Sequence, residues 1–266
     1  MSYLVTTDDI RWHYNVLGKG SCIFFIHGWA ASMQVFSQQA RYFFQNHKVV
    51  LVDLPGHGKT NWKPMTFDEV AAGIKGIADE IGVKTFSIVG SSMGGFIGLK
   101  IAQLFPGRVE KLAMIGSLPK FLKTQQRPLG LTEFEMNKLK QQLQARYPGI
   151  LDIFFRSLFT LQERESEKFK WIHQFRKQEK APERQALESF LDMLREGDLT
   201  EFAETVGIPI FFLAGRKDYI CSESSLEFVK DIVPNAIVDF MEECGHFPFL
   251  IKSEEFNEKV EKFLKA

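Results

Sequence analysis

Hydrophobic and polar positions follow two alternating patterns through the first half of this chain. Short continuous apolar runs, such as the one at 22–27, are typical of strands buried on both faces of a sheet. Between these runs, apolar residues recur at helical spacing. The pattern predicts strands at 10–17, 22–27, 48–53, 85–90 and 109–116, and helices at 32–45, 66–81 and 93–105.

The stretch 118–206 interrupts this alternation. It is helical in texture, rich in Lys, Arg, Glu, Gln and Leu, and poor in strand-like runs. The alternation then resumes with strands at 208–214 and 236–241 and helices at 222–232 and 253–264. We therefore predict an α/β fold whose core, 1–117 and 207–266, is a mostly parallel sheet flanked by helices. The segment 118–206 is predicted as a helical cap outside the carboxyl ends of the strands, where ligands bind in such sheets.

Composition narrows the class of protein only slightly. The chain has 266 residues, 45% of them hydrophobic, and no net charge, so a general nucleic-acid or membrane-surface role has no support. Cys22, Cys221 and Cys244 match no disulfide or metal spacing, which suggests a reducing compartment. The first residues have neither the basic flank nor the apolar core of a signal peptide, and no run is long enough to span a bilayer. We expect a cytoplasmic protein.

The segment 90–95 places a serine at a sharp turn from a strand into a helix. Its G-x-S-x-G pattern, with Ser92 at the centre, is that of a nucleophile elbow. The turn strains the serine backbone and leaves no room for flanking side chains, hence glycines two residues away. The pentapeptide alone arises by chance in roughly one chain in ten of this length, so its context must carry the interpretation.

A serine hydroxyl is a weak nucleophile until a positioned base removes its proton. Of the six histidines, only His246 lies in a loop after the last predicted strand and before the last helix. That is where the base stands when the chain order is Ser, Asp or Glu, then His. The alternative is a surface histidine with no catalytic task.

The base in turn needs an acid that fixes its tautomer and stabilises the imidazolium. Asp218 follows the strand at 208–214 and lies between Ser92 and His246 in sequence. It could instead cap a helix or pair with its basic neighbours in Gly-Arg-Lys-Asp. Asp198 sits in what reads as a cap turn and Asp239 within a strand, so Asp218 is the preferred acid.

Developing negative charge on a tetrahedral intermediate requires backbone donors. The amide of Met93, the residue after the nucleophile, is one predicted donor. The other is the amide of Trp29, in a loop after an early strand where Gly28 lets the chain pass close to the site. The Trp29 side chain would then form a wall of the acyl pocket. The same Gly-Trp pair could also serve packing alone.

These motifs together resemble the α/β-hydrolase family over nearly the whole chain. They are His-Gly-Trp at 27–29, the elbow at 90–94 and Gly-His at 245–246. The segment 52–58 is similar to a structural loop of that family, so Asp53 and His57 are interpreted as structural. A serine nucleophile argues against the haloalkane dehalogenase and epoxide hydrolase branches, whose nucleophile is a carboxylate.

Within the family, the runs at 27–30, 52–56 and 116–121 resemble the pimeloyl-[acyl-carrier protein] methyl ester esterases of biotin synthesis. The resemblance implies hydrolysis of a methyl ester on a carrier-bound dicarboxylate chain. It also implies an acyl tunnel lined by the cap, with Leu158, Phe159 and Gln162 as candidate substrate contacts. Aromatic residues at this spacing more often form a helix–helix core.

The same resemblance makes the cap a docking surface for an acidic acyl-carrier protein. Residues 120–184 hold 14 Lys and Arg against 8 Asp and Glu, a net charge of +6 in a neutral chain. A basic patch would steer an acidic partner to the site. A solvated helical face is nearly as good an interpretation. The candidate docking residues are Arg146, Arg156, Arg164 and Lys168.

The predicted reaction is carboxylic ester hydrolysis through an acyl-enzyme, with no metal or organic cofactor required. Carbon–carbon bond hydrolases and cofactor-free peroxidases share the fold and the core motifs, so these reactions stay open, as does a general small-ester esterase. A ligand-binding protein without turnover is a further alternative, against which an intact Ser, Asp and His set argues.

Overall fold

The computed structural model describes residues 2–5, 9–234 and 236–266, and these form one eight-stranded sheet in the order β1-β2-β4-β3-β5-β6-β7-β8. The strands are β1 (Ser2–Val5), β2 (Arg11–Leu17), β3 (Cys22–Ile26), β4 (Lys48–Val52), β5 (Phe86–Ser91), β6 (Val109–Ile115), β7 (Ile210–Gly215) and β8 (Ile237–Met241). In this order, all neighbouring strands from β4 to β8 are parallel. Strand β1 pairs antiparallel with β2, and β2 pairs antiparallel with β4. The predicted mostly parallel sheet is confirmed, and β1 is an addition to it.

The central strands are covered on both faces. Every residue of β3, β5 and β7 is buried, as expected for apolar runs in the middle of a parallel sheet. Because the strands are parallel neighbours, the loops that follow β3, β5, β6, β7 and β8 all emerge at the same edge of the sheet.

Helices α1 (Ser37–Phe43), α2 (Phe67–Glu80) and α3 (Met93–Leu104) belong to the first half of the fold. The predicted helix at 32–45 divides into a 3-10 turn, Met33–Phe36, and α1. The predicted capping box before α2 is confirmed: Thr66 and Glu69 each accept a backbone amide of the other. Helix α3 packs on α2 and on the strands β5 and β6 that flank it in sequence.

The segment 118–206, called the insert below, lies between β6 and β7. Its helices are α4 (Glu133–Arg146), α5 (Ile150–Ser157), α6 (Leu161–Glu165), α7 (Glu167–Arg176), α8 (Arg184–Glu196) and α9 (Thr200–Thr205). The fold then returns to the sheet and ends with α10 (Glu223–Ile232), α11 (Pro248–Ile251) and α12 (Ser253–Lys265). Helix α12 packs against α1.

The three cysteines are unpaired and buried. Burial raises the pKa of the Cys22 and Cys244 thiols to about 12, so these side chains behave as small apolar groups. Among the described residues, no helix combines the length and the apolar character needed to cross a bilayer. The cytoplasmic location stays a prediction.

Candidate active site

Ser92 stands at the turn from β5 into α3 with a strained backbone. Its φ of 52° and ψ of −120° lie where a residue with a Cβ atom rarely sits, at a cost of about 1–3 kcal/mol. Its amide donates a hydrogen bond of 2.8 Å to the carbonyl of Ile115 at the end of the neighbouring strand β6. This conformation and position are those of the predicted nucleophile elbow.

The two glycines of the elbow are required by close backbone approaches. A Cβ atom on Gly90 would lie 2.4 Å from the carbonyl oxygen of Gly94. One on Gly94 would lie 2.0 Å from the carbonyl oxygen of Ile26, on the adjacent strand β3. The start of α3 is therefore pressed against the sheet, which holds Ser92 at the sheet edge.

Replacing Gly94 by alanine is expected to lower the free energy of unfolding by more than about 2 kcal/mol, because backbone atoms of β3 cannot move aside for the methyl group. Urea denaturation measures the change. The matched control is Gly207→Ala, where an added Cβ meets no heavy atom within 4 Å. We expect unfolding of that variant to match the wild type. Equal stability of both variants would contradict the close approach of α3.

The loops after β7 and β8 bring Asp218 and His246 together. His246 Nδ1 lies 2.7 Å from Asp218 Oδ2, and the two residues are only 2% and 4% exposed. The second oxygen, Oδ1, accepts hydrogen bonds from the amides of Ile220 at 2.9 Å and Cys221 at 3.1 Å. A carboxylate held in this way accepts the Nδ1 proton and leaves the lone pair on Nε2.

The basic neighbours of Asp218 and the two alternative aspartates have other partners in the structure. Arg216 and Lys217, next to Asp218 in sequence, pair with glutamates of the loop after β8. Asp198 and Asp239 each bind a lysine at 2.6 Å. Asp198 also accepts a hydrogen bond from the amide of Thr200 at the start of α9, as its predicted cap turn requires.

Ser92 and His246 both lie against the end of β6. A Cβ atom on Gly116, whose φ is +53°, would be 3.1 Å from both Nδ1 and Cε1 of His246. The preceding carbonyl, that of Ile115, accepts the amide of Ser92. Among the described residues, no hydrogen bond joins the Ser92 hydroxyl to His246. Such bonds are often long in the absence of substrate, and the complete Ser–His–Asp set stays a prediction.

The two predicted oxyanion donors flank the serine. Met93 is the first residue of α3, where amides have no partner within the helix. Trp29 follows β3 and Gly28. A Cβ atom added to Gly28 would lie 3.1 Å from the Cβ atom of Ser92. Within the described chain, neither the Trp29 nor the Met93 amide donates to a protein acceptor. The hydrogen-bonding capacity of both amides is thus unused within the described chain, and their role as oxyanion donors stays a prediction.

The Trp29 loop is fastened to the insert. The indole Nε1 donates to the carbonyl of Leu187 in α8 at 2.9 Å, and the ring packs edge-on against Phe154 of α5. The next residue, Ala30, has a φ of 59°, and its carbonyl accepts a hydrogen bond of 2.8 Å from Arg176 of α7. The Trp29 side chain therefore ties the core to the insert.

Two neutral histidines connect the Trp29 loop to the loop after β4. Burial, together with the neighbouring His27, lowers the pKa of His57 to about 3, and burial lowers that of His27. His57 Nε2 accepts the amide of Ala30, and His27 Nε2 accepts the amide of Leu54. Asp53 accepts from the His13 ring at 2.7 Å and from the Met33 amide. These contacts hold the two loops together, and the structural role of Asp53 and His57 stays a prediction.

Cys221 joins Asp218 and His246 in a group whose possible metal-ligand atoms lie within 4.8 Å of one another. A cysteine binds metal as the thiolate. Burial and the nearby Asp218 raise the pKa of the Cys221 thiol well above its ordinary value. The Asp218 carboxylate is also engaged by the imidazole and by two amides. This donor set therefore fits the histidine–aspartate pair better than a metal ion.

The three candidate substrate contacts of the insert have different environments. Leu158 is 3% exposed, and its carbonyl accepts the amide of His246 at 2.8 Å. Phe159 packs against other aromatic rings; its partners are Phe155, Phe169 and Phe247. Gln162 is exposed on α6. Their contact with substrate stays a prediction.

A cavity with a volume of about 690 Å³ lies between the loop at 30–34 and the insert. Residues 148–152 and 173–182 contribute most of its insert wall. Ser92, Asp218 and His246 are not among its lining residues. One of its lining residues, Ala30, follows the candidate oxyanion donor Trp29 directly in sequence.

Two residues of the insert that the sequence pattern did not single out contact the loops that carry Trp29 and His246. Arg176 binds the carbonyl of Ala30, and its guanidinium stacks 4.2 Å from the Phe155 ring centre. Glu163 accepts the amide of Gly245, beside His246. The pattern Thr160-x-x-Glu163 can be recognised in the sequence as a capping box. No local pattern shows that Glu163 is buried against the His246 loop.

The candidate docking residues differ in how exposed their side chains are. Arg146 and Arg156 are exposed, whereas Arg164 and Lys168 are partly buried. Lys168 Nζ donates to the hydroxyl of Ser253 at 3.0 Å, which ties it to the start of α12. Arg146 and Arg156 are therefore the more available for a partner.

Comparison with known proteins identifies the family. Residues 22–179 match the family described as alpha/beta hydrolase fold. A pimeloyl-[acyl-carrier protein] methyl ester esterase of Nitrosomonas europaea is 26% identical over 244 residues, covering 92% of this chain and 96% of the relative. An esterase from Exiguobacterium antarcticum superposes with a TM-score of 0.90 at 22% identity, covering 100% of this chain and 99% of the other.

A bromoperoxidase from Bacillus anthracis superposes nearly as well, with a TM-score of 0.89 at 22% identity and full coverage of both chains. At this identity the superpositions establish the fold alone. They agree with the predicted sheet, and the family match agrees with the predicted resemblance and hydrolase class. This chain belongs to the alpha/beta hydrolase fold family.

Proposed function

We propose that this protein is a carboxylic ester hydrolase in which Ser92 is the nucleophile, His246 the base and Asp218 the acid that orients it. The observation that carries the proposal is the buried His246–Asp218 pair beside a serine with a strained elbow conformation. Strain of this kind is kept where function requires it. The esterase name of the Nitrosomonas europaea relative supports ester bonds as the target.

The proposed reaction gives each of these groups one task. His246 Nε2 takes the proton of Ser92 as the hydroxyl attacks the ester carbonyl, and the amides of Trp29 and Met93 bind the oxyanion. The alkoxide leaves with the proton that His246 returns. Water, activated by the same imidazole, then hydrolyses the acyl-enzyme and restores the serine. Asp218 keeps the imidazole oriented through Nδ1 and stabilises the imidazolium.

We further propose that the insert, 118–206, is a cap over this site and that 1–117 and 207–266 form the catalytic core. Support comes from the hydrogen bonds that the insert makes to the Trp29 and His246 loops. Leu158, Phe159 and Gln162 are proposed to line the acyl route beneath the cap.

The proposed substrate is the methyl ester of pimeloyl-acyl-carrier protein in biotin synthesis. The name of the relative supports it, as does the excess of basic residues between 120 and 184. We expect kcat/KM for the carrier-bound ester to exceed that for the free methyl ester by about tenfold or more at low salt, because steering adds roughly 10–10³ to such encounters. In 1 M salt, where the Debye length is about 3 Å, the advantage should disappear.

Steady-state hydrolysis of both esters at low and high salt measures this difference. Arg156→Ala should lower only the carrier-bound rate, by a few fold, whereas Lys230→Ala, an exposed lysine of α10, should change neither rate. Equal rates for the two esters under all conditions would favour a general small-ester esterase. Turnover of a diketone or of peroxide without ester hydrolysis would overturn the proposed reaction.

A further inference from the structure

Glu163 is a carboxylate of the insert that is only 5% exposed. Acidic side chains are rarely buried so fully unless they are paired. Among the described residues, no lysine, arginine or histidine lies within ion-pair distance of it. Burial raises the pKa of the Glu163 carboxyl, while hydrogen bonds from backbone amides act in the opposite direction. Backbone donors thus replace the water that this carboxylate has lost.

The donors come from two separate parts of the chain. One is the amide of Thr160, at 2.7 Å, which belongs to the capping box of α6 itself. The other is the amide of Gly245, which lies 3.2 Å from Oε1 and 3.1 Å from Oε2. Gly245 directly precedes His246, so the carboxylate reaches the loop that carries the proposed base.

A neighbouring contact fixes the same loop from the same side. The carbonyl of Leu158 accepts the amide of His246 at 2.8 Å. The approach is close enough that a Cβ atom on Gly245 would lie 2.4 Å from that carbonyl oxygen. The segment 158–163 of the insert therefore binds two consecutive amides of the histidine loop.

Helix capping alone does not explain the burial of Glu163. Thr66 with Glu69 at α2, and Thr132 with Glu135 at α4, form the same capping box. Both of these glutamates are exposed, so the box functions fully at the surface. What distinguishes Glu163 is its second set of hydrogen bonds, to the histidine loop.

We propose that Glu163 is a positioning residue for His246: its carboxylate holds the Gly245 amide and thereby sets the imidazole relative to Ser92. Asp218 fixes the ring through Nδ1, and Glu163 together with the Leu158 carbonyl fixes the backbone that carries the ring. The inference rests on the proposed function, because it gives His246 the role of base.

Glu163→Gln tests the proposal at nearly constant shape. The glutamine oxygen can still accept the Thr160 amide, since Gln serves as well as Glu in a capping box. Its NH2 group then takes the place of Oε1, 3.2 Å from the Gly245 amide, so a donor replaces one of the two acceptors that this amide has. We expect kcat for a free methyl ester to fall by about ten- to hundredfold with little change in KM, because a misplacement near 1 Å costs about 10²-fold.

The matched control is Glu135→Gln, which changes the same capping-box position in α4 without touching the histidine loop. It should keep the wild-type kcat. Rates of the two glutamate variants are expressed per active serine, counted with a fluorophosphonate probe after complete labelling, so that an unfolded fraction does not enter. Variants that lack His246 are normalised to the folded fraction measured by circular dichroism, because their serine has no base to activate it. A wild-type kcat for Glu163→Gln would overturn the proposal, as would an equal loss in both variants.

A double-variant cycle with His246→Ala separates action through the base from a general structural effect. If Glu163 acts through His246, then Glu163→Gln causes no further loss of the residual activity of His246→Ala. The same fold loss in both backgrounds would overturn the positioning role. Full activity of the single variant His246→Ala would instead overturn the proposed function, so the two failures are distinguishable.

Discussion

Replacing Ser92 by alanine is expected to lower kcat for ester hydrolysis by at least about 10⁴-fold, because no other group can then form the acyl-enzyme. The fold should be unaffected. The Ser92 hydroxyl makes no hydrogen bond within the described residues, and alanine at φ 52° carries the same backbone strain as serine. Thermal unfolding should therefore shift by less than about 2 °C. Ester turnover and a melting curve on the same preparation measure both effects.

The neighbouring serine provides the matched control. Ser91 Oγ is buried and has no hydrogen-bond partner among the residues that the structure describes, so Ser91→Ala removes an equal group one residue away from the elbow tip. That variant should keep its activity and lose no stability. Near-wild-type turnover by Ser92→Ala would remove the serine from the mechanism, and turnover lost equally in both variants would point to damage of the turn.

Asp218→Asn is expected to lower kcat by about 10³–10⁴-fold through the wrong tautomer of His246. The asparagine oxygen can still accept the amides of Ile220 and Cys221, which now bind Oδ1. Its NH2 group then faces Nδ1 of the imidazole, so the ring proton moves to Nε2. A protonated Nε2 cannot take the proton of Ser92. Single-turnover acylation rates measure the loss directly.

The control for charge is Asp239→Asn, which removes a carboxylate that pairs with Lys259 at the surface. Its expected effect on kcat is small, because surface ion pairs contribute little. Activity in Asp218→Asn close to that of Asp239→Asn would show that the imidazole does not depend on its buried partner.

The sequence pattern predicts the sheet well because buried parallel strands are continuous apolar runs. The predicted strand at 22–27 and the observed β3 differ by one residue. The predicted strand at 208–214 begins two residues later, at Ile210, directly after Pro209, which has no amide to donate to a ladder. Strand β1 was not predicted, since four residues, Ser2–Val5, give too short a pattern to recognise.

The candidate site was predictable where chain order and strand ends determine it. Ser92, Asp218 and His246 follow β5, β7 and β8, which are parallel strands of one sheet, so their placement at the same edge follows from the topology. Contacts made by the insert did not follow from the sequence. The binding of Glu163 and Arg176 to loops 82 and 146 residues away depends on how the helices pack, which no local pattern encodes.

Four hydrogen bonds fasten the proposed cap to the two loops that flank the serine. Their acceptors are Leu187 and Leu158 carbonyls, the Glu163 carboxylate and the carbonyl of Ala30. Each bond opposes an outward swing of the whole cap by about 1 kcal/mol, and the packing of the Trp29 ring against Phe154 opposes it further, so at most on the order of 0.1% of molecules would be open at rest. If the insert is the cap that we propose, the enzyme should favour slender acyl chains that reach Ser92 while the cap stays closed, and wide, branched esters should turn over slowly because they need it open.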